Sequence, residues 1–181
     1  MSTTLTDVLI RKAKEAAEAA ERSRQQMLAA SERRAEAVFA LSAEGMPIRR
    51  IAEVTGVSPA VIQRLLEKAK ASRPQLGRRE ERVSYELHRA VAEKVSDDPQ
   101  PVLSKARTNL QAMAARARDP HAQGWVSEWE TLVNAGDLNR LVEVMLDPDE
   151  RGIDLRQMTP FAGVLTQEER LVAIHKASRA A

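Results

Sequence analysis

The chain has 181 residues, of which 43% are hydrophobic and only 3% aromatic; its formal net charge is +2 and it contains no Cys. This length supports one or two small domains with their own cores, and the lack of Cys excludes disulfides and thiolate metal sites. Abundant Ala, Arg, Glu and Leu favour helix over strand, so we predict an all-α fold.

The charge is unevenly distributed along the chain. Residues 1–80 carry 15 Lys and Arg against 10 Asp and Glu, whereas residues 81–181 carry 13 against 16. The basic N-terminal half is suited to nucleic-acid binding, and the acidic C-terminal half suggests a different role. No stretch approaches the ~20 apolar residues of a membrane span or the apolar run of a signal peptide. We therefore expect a soluble, cytoplasmic protein.

The first helix is predicted to run to about Glu44, because Pro and Gly are absent from residues 1–44. At 1.5 Å per residue it would be about 60 Å long. We assign residues 1–34 to this long helix. Two interpretations stay open: a dimerising coiled coil, or a solitary charged helix whose last turns alone fold onto the rest. A loose seven-residue seam, interrupted by Arg34, passes through Leu9, Ala13, Ala16, Ala20, Ser23, Met27, Ala30, Ala37 and Leu41.

Residues 48–67 contain two short helical patterns joined at Gly56. Glycine adopts the left-handed conformation that ends the first helix. Ser58 is a good N-cap and Pro59 suits the first helical position of the second helix. The small Ala52 lets the two helices approach closely. We predict that residues 35–73 form a three-helix domain, with inner residues Ala35, Val38, Phe39, Leu41, Ile51, Ala52, Thr55, Val57, Ile62 and Leu65.

This stretch resembles the helix-turn-helix of prokaryotic DNA-binding regulators. The resemblance implies that the second helix enters the major groove, where Gln63 can pair with adenine and Arg64 with guanine or a phosphate. Arg49 and Arg50 would contact the phosphate backbone. The alternative is a helical hairpin used for packing alone. The candidate DNA contacts are Arg49, Arg50, Ser58, Pro59, Ala60, Gln63, Arg64, Lys68, Arg73, Arg78 and Arg79.

Pro, Gly and three arginines fall together between Arg73 and Arg79. We interpret residues 74–81 as a linker whose arginines touch phosphates, and we place the domain boundary near residue 76. Residues 82–181 then form a C-terminal helical domain. Its predicted helices centre on residues 83–95, 103–113, 125–133 and 138–146, followed by a short helix over 150–157, an apolar turn over 159–165 and a last helix that opens with a capping box at Thr166.

The C-terminal half resembles a helical segment of small actinobacterial regulators and antitoxin-like proteins. The resemblance covers most of residues 83–174 and implies a gene regulator or an antitoxin. It assigns no chemical role to the individual motifs. The residues that carry it are Glu86-Leu87-His88-Arg89, Val102-Leu103, Ala106-Arg107, Asn109-Leu110, Trp129 with Leu132, and the run from Leu155-Arg156-Gln157 through Pro160-Phe161-Ala162-Gly163-Val164-Leu165 to Glu169-Arg170.

Patterns typical of catalysis are missing from the sequence. The three histidines, His88, His121 and His175, do not have the spacing of metal ligands, and there is no Gly-rich phosphate loop or nucleophile elbow. Trp125 and Trp129 are interpreted as core residues, because the region around them is acidic. We predict that the protein is not an enzyme and uses neither cofactor nor metal.

Together these patterns predict a sequence-specific DNA-binding protein, a transcriptional repressor of a prokaryote or phage. One alternative is an antitoxin whose DNA binding is autoregulatory and whose C-terminal domain binds a protein partner. Another is an architectural or segregation protein that assembles along DNA. The expected partners are double-stranded DNA and a second copy of the chain bound through the N-terminal helix, on the nucleoid in the cytoplasm.

Overall fold

All regular secondary structure in residues 5–180, the part of the chain that the computed structural model describes, is helical. The all-α prediction is confirmed. Each predicted C-terminal helix is present with closely similar bounds. In chain order the helices are α1 (Leu5–Ala43), α2 (Ile48–Thr55), α3 (Pro59–Ala71), α4 (Arg79–Asp97), α5 (Pro99–Ala114), α6 (Pro120–Asn134), α7 (Leu138–Met145), α8 (Glu150–Gln157) and α9 (Gln167–Arg179).

The chain divides into two compact units. The first comprises Met1–Ser42 and Met46–Ser72, and the second comprises Ala43–Gly45 and Arg73–Ala181. The division falls a few residues before the predicted position near residue 76. The predicted linker over 74–81 is also shortened, since α4 already begins at Arg79.

The long α1 confirms the predicted N-terminal helix, and its 39 residues span about 58 Å. Its buried residues, Ala35, Val38 and Phe39, all lie in the last third. The preceding turns are exposed and are supported by pairs along the helix, such as Arg24 with Glu21 at 2.8 Å. Such pairs three or four residues apart each stabilise a helix modestly.

A small core joins α2 and α3 to the end of α1. Val38, Ile51, Ala52 and Ile62 are buried there, and Val57 and Leu65 are among the half-buried residues around them. Gly56 closes α2 with φ 68° and ψ 23°, the left-handed conformation predicted from the sequence. Thr55 differs from its predicted inner position: it is exposed, and its hydroxyl donates to the Ile51 carbonyl at 2.6 Å.

Helix α4 is the central element of the second unit, because α5, α7, α8 and α9 all pack against it. The core beside it includes Trp129, which is fully buried as predicted. The indole N–H of Trp129 donates to the Leu155 carbonyl at 3.0 Å, and its ring meets Phe161 edge-on at 5.4 Å between centroids. A hydrogen-bonded, edge-packed tryptophan fixes the orientation of the elements around it.

A buried ion pair holds the start of the second unit. Arg73 Nε donates to Glu86 Oε1 at 2.5 Å, and Arg73 Nη2 donates to Glu86 Oε2 at 3.2 Å. Glu86 lies on α4, where its carboxylate is removed from solvent. The two-pronged geometry matches a planar guanidinium to a carboxylate, which makes the pair directional as well as ionic.

The junction between α7 and α8 is closed by Gly152 and Arg156. Arg156 Nη1 donates to the carbonyls of Met145 at 3.2 Å and Asp147 at 2.5 Å, so it satisfies carbonyls at the end of α7. A Cβ on Gly152 would lie 2.7 Å from the Asp147 Cβ and would overlap the Asp147 carbonyl oxygen. Glycine is therefore required where α8 meets this carbonyl.

The apolar turn over residues 159–165 is fixed by hydrogen bonds from other elements. Asn109 on α5 donates through Nδ2 to the carbonyls of Pro160 at 2.7 Å and Ala162 at 2.8 Å. Helix α9 then begins at the predicted capping box. The Thr166 hydroxyl accepts from the Glu169 N–H at 3.3 Å, and the Glu169 carboxylate accepts from the Thr166 N–H at 2.7 Å.

None of the helices within residues 5–180 combines the length and the apolar character needed to cross a membrane.

Candidate nucleic-acid interface

The first turn of α3 is exposed and preorganised by its cap. Ser58 has extended backbone angles (φ −67°, ψ 151°), and its hydroxyl accepts from the Val61 N–H at 3.4 Å. Pro59 occupies the first turn, where its missing N–H leaves no unsatisfied donor. Ser58, Pro59 and Ala60 are all solvent-exposed. Ser58 takes up the Val61 N–H and Pro59 has none, so recognition at this end of α3 depends on side chains more than on backbone N–H groups.

Gln63 and Arg64 follow one turn later, on the exposed side of α3. They lie four residues after Pro59 and Ala60, so the four residues form one continuous patch along the helix surface. Neither side chain forms a hydrogen bond or an ion pair with any described residue of the chain. Their amide and guanidinium groups can therefore bind base edges without first breaking an internal contact.

Arg49 and Arg50 lie in the first turn of α2 and are also exposed. Arg49 forms no hydrogen bond or ion pair with another described side chain, whereas Arg50 Nη1 is paired with Glu53 Oε2 at 2.7 Å. An exposed pair of this kind is weak, and a phosphate can replace the carboxylate. Arg50 therefore has to exchange partners before it can bind DNA, a detail that the sequence did not reveal.

The last turns of α3 add two exposed lysines. Lys68, a predicted contact, donates through Nζ to the Ser31 hydroxyl at 3.0 Å and so links α3 to α1. Lys70 was not among the predicted contacts, although it is exposed in the same last turn of α3. The sequence signal that points to Lys70 is its position in the basic end of the helix, two residues after Lys68.

Residues 46–72, which contain α2 and α3, carry five Lys and Arg against two Glu, a net charge of +3. The neighbouring residues 1–45 carry seven of each sign and are neutral. The excess positive charge of the first unit is therefore concentrated on the segment with the exposed polar patch. A concentration of this kind is the electrostatic condition for binding a phosphate backbone.

Arg73, predicted as a DNA contact, lies instead in the buried ion pair with Glu86, where its side chain is 3% exposed. Contact with a phosphate would require the protein to abandon that pair and leave a buried carboxylate without its partner. We therefore remove Arg73 from the candidate interface. It acts as a structural residue of the second unit.

Arg78 and Arg79 are exposed at the start of α4 and belong to the second unit. The Arg78 guanidinium lies 3.8 Å from the Glu81 carboxylate, one turn into α4. Both arginines are accessible to an anion, but the acidic residues Glu80 and Glu81 follow them directly. The candidate interface is accordingly built on α2 and α3, where basic side chains outnumber acidic ones.

No constellation for metal chemistry exists in the described part of the chain, where no three His, Asp or Glu side chains are grouped to hold an ion. Of the histidines, His88 is buried, whereas His121 and His175 are exposed.

Comparison of the chain with protein-family models, with curated proteins and with solved structures found no match.

Proposed function

We propose that this protein binds double-stranded DNA sequence-specifically, as a transcriptional repressor of a prokaryote or phage, with α3 as its recognition helix. The observation that carries the proposal is the exposed patch formed by Ser58, Pro59, Ala60, Gln63 and Arg64, in which the two long polar side chains lack internal partners. A recognition helix needs such groups at its N-terminal end, because that end reaches base edges in the major groove.

The surrounding charge supports the same function. Arg49 and Arg50 at the start of α2 and the lysines at the end of α3 supply cations for the phosphate backbone. These contacts position the protein on the duplex, whereas Gln63 and Arg64 discriminate between sequences. The proposed role is non-enzymatic, on the nucleoid in the cytoplasm.

We further propose that two copies of the chain form a homodimer through α1. Leu5 and Met27 are 76% and 74% exposed, and Leu9, Ile10 and Leu28 are also largely exposed on the same helix. Exposed apolar side chains spread over several turns gain free energy when a second helix covers them. A dimer would also present two recognition helices, as proteins that read two half-sites do.

The exposed α1 also supports a second candidate function. If α1 joined many copies in series instead of two, the protein would coat DNA as an architectural or segregation protein. The two functions differ in binding behaviour: a repressor dimer saturates a short selected site, whereas an assembling protein covers long DNA cooperatively and with little dependence on sequence. Titration of the full chain onto a short duplex and onto a long random-sequence duplex separates them.

The test of sequence-specific binding begins with selection of a duplex from a randomised library by repeated binding to the full chain. Fluorescence anisotropy then measures the affinity for the selected duplex and for a scrambled one. We expect Gln63→Ala and Arg64→Ala each to cost about 1–3 kcal/mol on the selected duplex and little on the scrambled one.

Gln111→Ala and Arg118→Ala serve as matched controls, since both side chains are exposed in the second unit and neither forms a hydrogen bond or an ion pair with a described residue. We expect both controls to bind as the parent protein does. Failure to enrich any sequence, or parental affinity in Gln63→Ala and Arg64→Ala, would show that α3 is not a recognition helix.

A further inference from the structure

The second unit contains a cavity of about 440 Å³. It lies against α4 and is bounded by the turn over residues 159–165 and by Arg170 of α9. Cavities of roughly 300–1,000 Å³ are the usual size for small-molecule sites. The apolar part of its lining consists mainly of Val83, Leu87, Val91, Phe161 and Leu165.

Hydrogen bonds between protein groups hold the wall of the cavity in place. Asn109 fixes the carbonyls of Pro160 and Ala162, as described above. His88 Nε2 lies 2.8 Å from the Thr159 hydroxyl, and His88 Nδ1 lies 2.7 Å from the Ser84 carbonyl. A wall fixed before binding loses little conformational freedom when a ligand enters, which favours affinity.

The charged residues of the lining are mostly cationic. Arg79, Arg156 and Arg170 line the cavity together with one carboxylate, Glu80. His88 adds no charge at neutral pH, because burial lowers its pKa to about 4. The cavity therefore joins an apolar wall to a surplus of positive charge, which is complementary to a molecule with an apolar body and an anionic group.

Arg156 is the most unusual member of this lining. It is 2% exposed, and its Nε and Nη2 atoms are buried without a hydrogen-bond partner among the described residues. Its Nη1 atom donates to two backbone carbonyls. No carboxylate of the described chain forms an ion pair with Arg156. A guanidinium stays charged in proteins. The Tyr85 ring, whose centre lies 5.6 Å from the guanidinium carbon, and the charges of Asp147 and Glu81 offset part of its desolvation, but no carboxylate is paired with it directly.

We propose that this cavity is a binding site for a small amphipathic carboxylate, whose apolar body packs on Leu87 and Phe161 and whose carboxylate is held by Arg156 and Arg170. The bound carboxylate supplies Arg156 with the directly paired anion that no described side chain provides. Arg170 is exposed at the cavity and provides the entry side of the site. All the residues of this site belong to the second unit, whereas the proposed DNA-binding patch belongs to the first.

The test uses the full chain with octanoate as the probe and octanamide as its uncharged match. Isothermal titration calorimetry measures both affinities. We expect one octanoate site per chain and about tenfold weaker binding of octanamide, because a charged acceptor strengthens hydrogen bonds from arginine. Trp129 fluorescence gives a second readout, since Phe161 contacts its ring and also lines the cavity. Trp125→Phe removes the other tryptophan signal.

Four variants, one of them a control, locate the site. Arg170→Gln removes an exposed charge and should weaken octanoate about threefold to tenfold while leaving octanamide unchanged. Ala162→Leu fills part of the cavity and should weaken both probes. Arg118→Gln, which removes an exposed charge away from the cavity, should weaken neither. Arg156→Gln should abolish the preference for octanoate, provided that its circular dichroism matches the parent; if it does not fold, Arg170→Gln and Ala162→Leu decide.

The proposal is overturned if butyrate, hexanoate, octanoate and 3-phenylpropionate all fail to bind. It is equally overturned if octanamide binds as tightly as octanoate. Parental affinities in both Ala162→Leu and Arg170→Gln would place any octanoate binding elsewhere on the protein and would also overturn it.

Discussion

Arg73 and Glu86 form a two-pronged ion pair whose side chains are only 3% and 2% exposed. They lie 13 residues apart, and the pair joins the segment before α4 to α4 itself. Taking both charges out of water is costly, so the pair contributes little net stability while its partners are matched. Losing one partner is different, because the other charge is then buried alone.

We therefore expect Arg73→Met and Glu86→Leu each to lower the free energy of unfolding by about 3–5 kcal/mol. The double variant should be much closer to the parent, because no lone charge is left in the interior. Urea unfolding followed by tryptophan fluorescence measures the effect in the second unit, where both tryptophans lie. Additive losses in the double variant would contradict the prediction.

His88 should make the second unit sensitive to acid. Burial, and secondarily the charge of Arg156, lowers the pKa of His88 from 6.5 to about 4. Below pH 6.5 the unfolded chain binds a proton at His88 that the folded chain excludes, so stability falls as the pH falls from about 6.5 to 4. The full loss is about 3 kcal/mol.

The measurement compares the pH dependence of unfolding in the parent, in His88→Gln and in His121→Gln, whose histidine is exposed. We expect His88→Gln to flatten the curve between pH 6.5 and 4 and His121→Gln to leave it unchanged. Only the slope with pH is compared, so a general destabilisation of His88→Gln does not affect the result.

Arg50 and Glu53 allow a separate test of the phosphate contacts. Arg50→Ala should weaken binding to all duplexes alike and reduce the slope of log K against log salt by about one unit. Glu53→Gln should strengthen binding severalfold, because it frees Arg50 from its 2.7 Å partner and removes a negative charge. Anisotropy titrations at several salt concentrations measure both. An unchanged salt dependence in Arg50→Ala, or binding in Glu53→Gln that is no tighter than in the parent, would exclude Arg50 as a phosphate contact.

Deletion of residues 1–30 should convert a dimer into a monomer. The deletion removes the exposed apolar residues from Leu5 to Leu28 but keeps Ala35, Val38 and Phe39, which are buried in the folded chain. It also keeps Ser31, which accepts from Lys68. We expect unchanged unfolding of the remaining helices, a halved mass by light scattering and a steep loss of DNA affinity, since two linked contacts become one.

A full-length chain that is monomeric at micromolar concentration and still binds its selected duplex tightly would exclude α1 as the dimer interface. Alanines along the seam bury little area, so the dimer is expected to be concentration-dependent. Light scattering over a range of concentrations, with and without the duplex, covers this dependence.

The features predicted most accurately were those that depend on residues close together in the sequence. The turn at Gly56, the cap at Ser58 and the capping box of Thr166 with Glu169 each require a few residues at fixed spacing, and all are present. Long apolar repeats also identified the helices of the second unit. In these cases the chemistry that defines the feature lies within one or two turns of chain.

Features that depend on distant residues were missed. Arg73 lies among Pro, Gly and other arginines, a composition typical of a solvated linker, and its partner Glu86 occupies a helix whose sequence is rich in exposed charges. The cavity was missed for the same reason. Its lining combines α4, α8, the turn over residues 159–165 and α9, and only tertiary packing brings Arg156 beside Phe161 and Arg170.

Gly152 restricts which sequences can share this fold. A side chain there would occupy the space beside the Asp147 carbonyl, the same oxygen that accepts from Arg156 one turn later. The two requirements lie four residues apart on α8, so a glycine followed by three residues and an arginine forms a short fingerprint; the carbonyl itself belongs to the backbone and can come from any residue. Gly124, by contrast, has open space where a Cβ would lie and can vary. Distant relatives that have lost overall similarity are thus best recognised by Gly152 and Arg156 together.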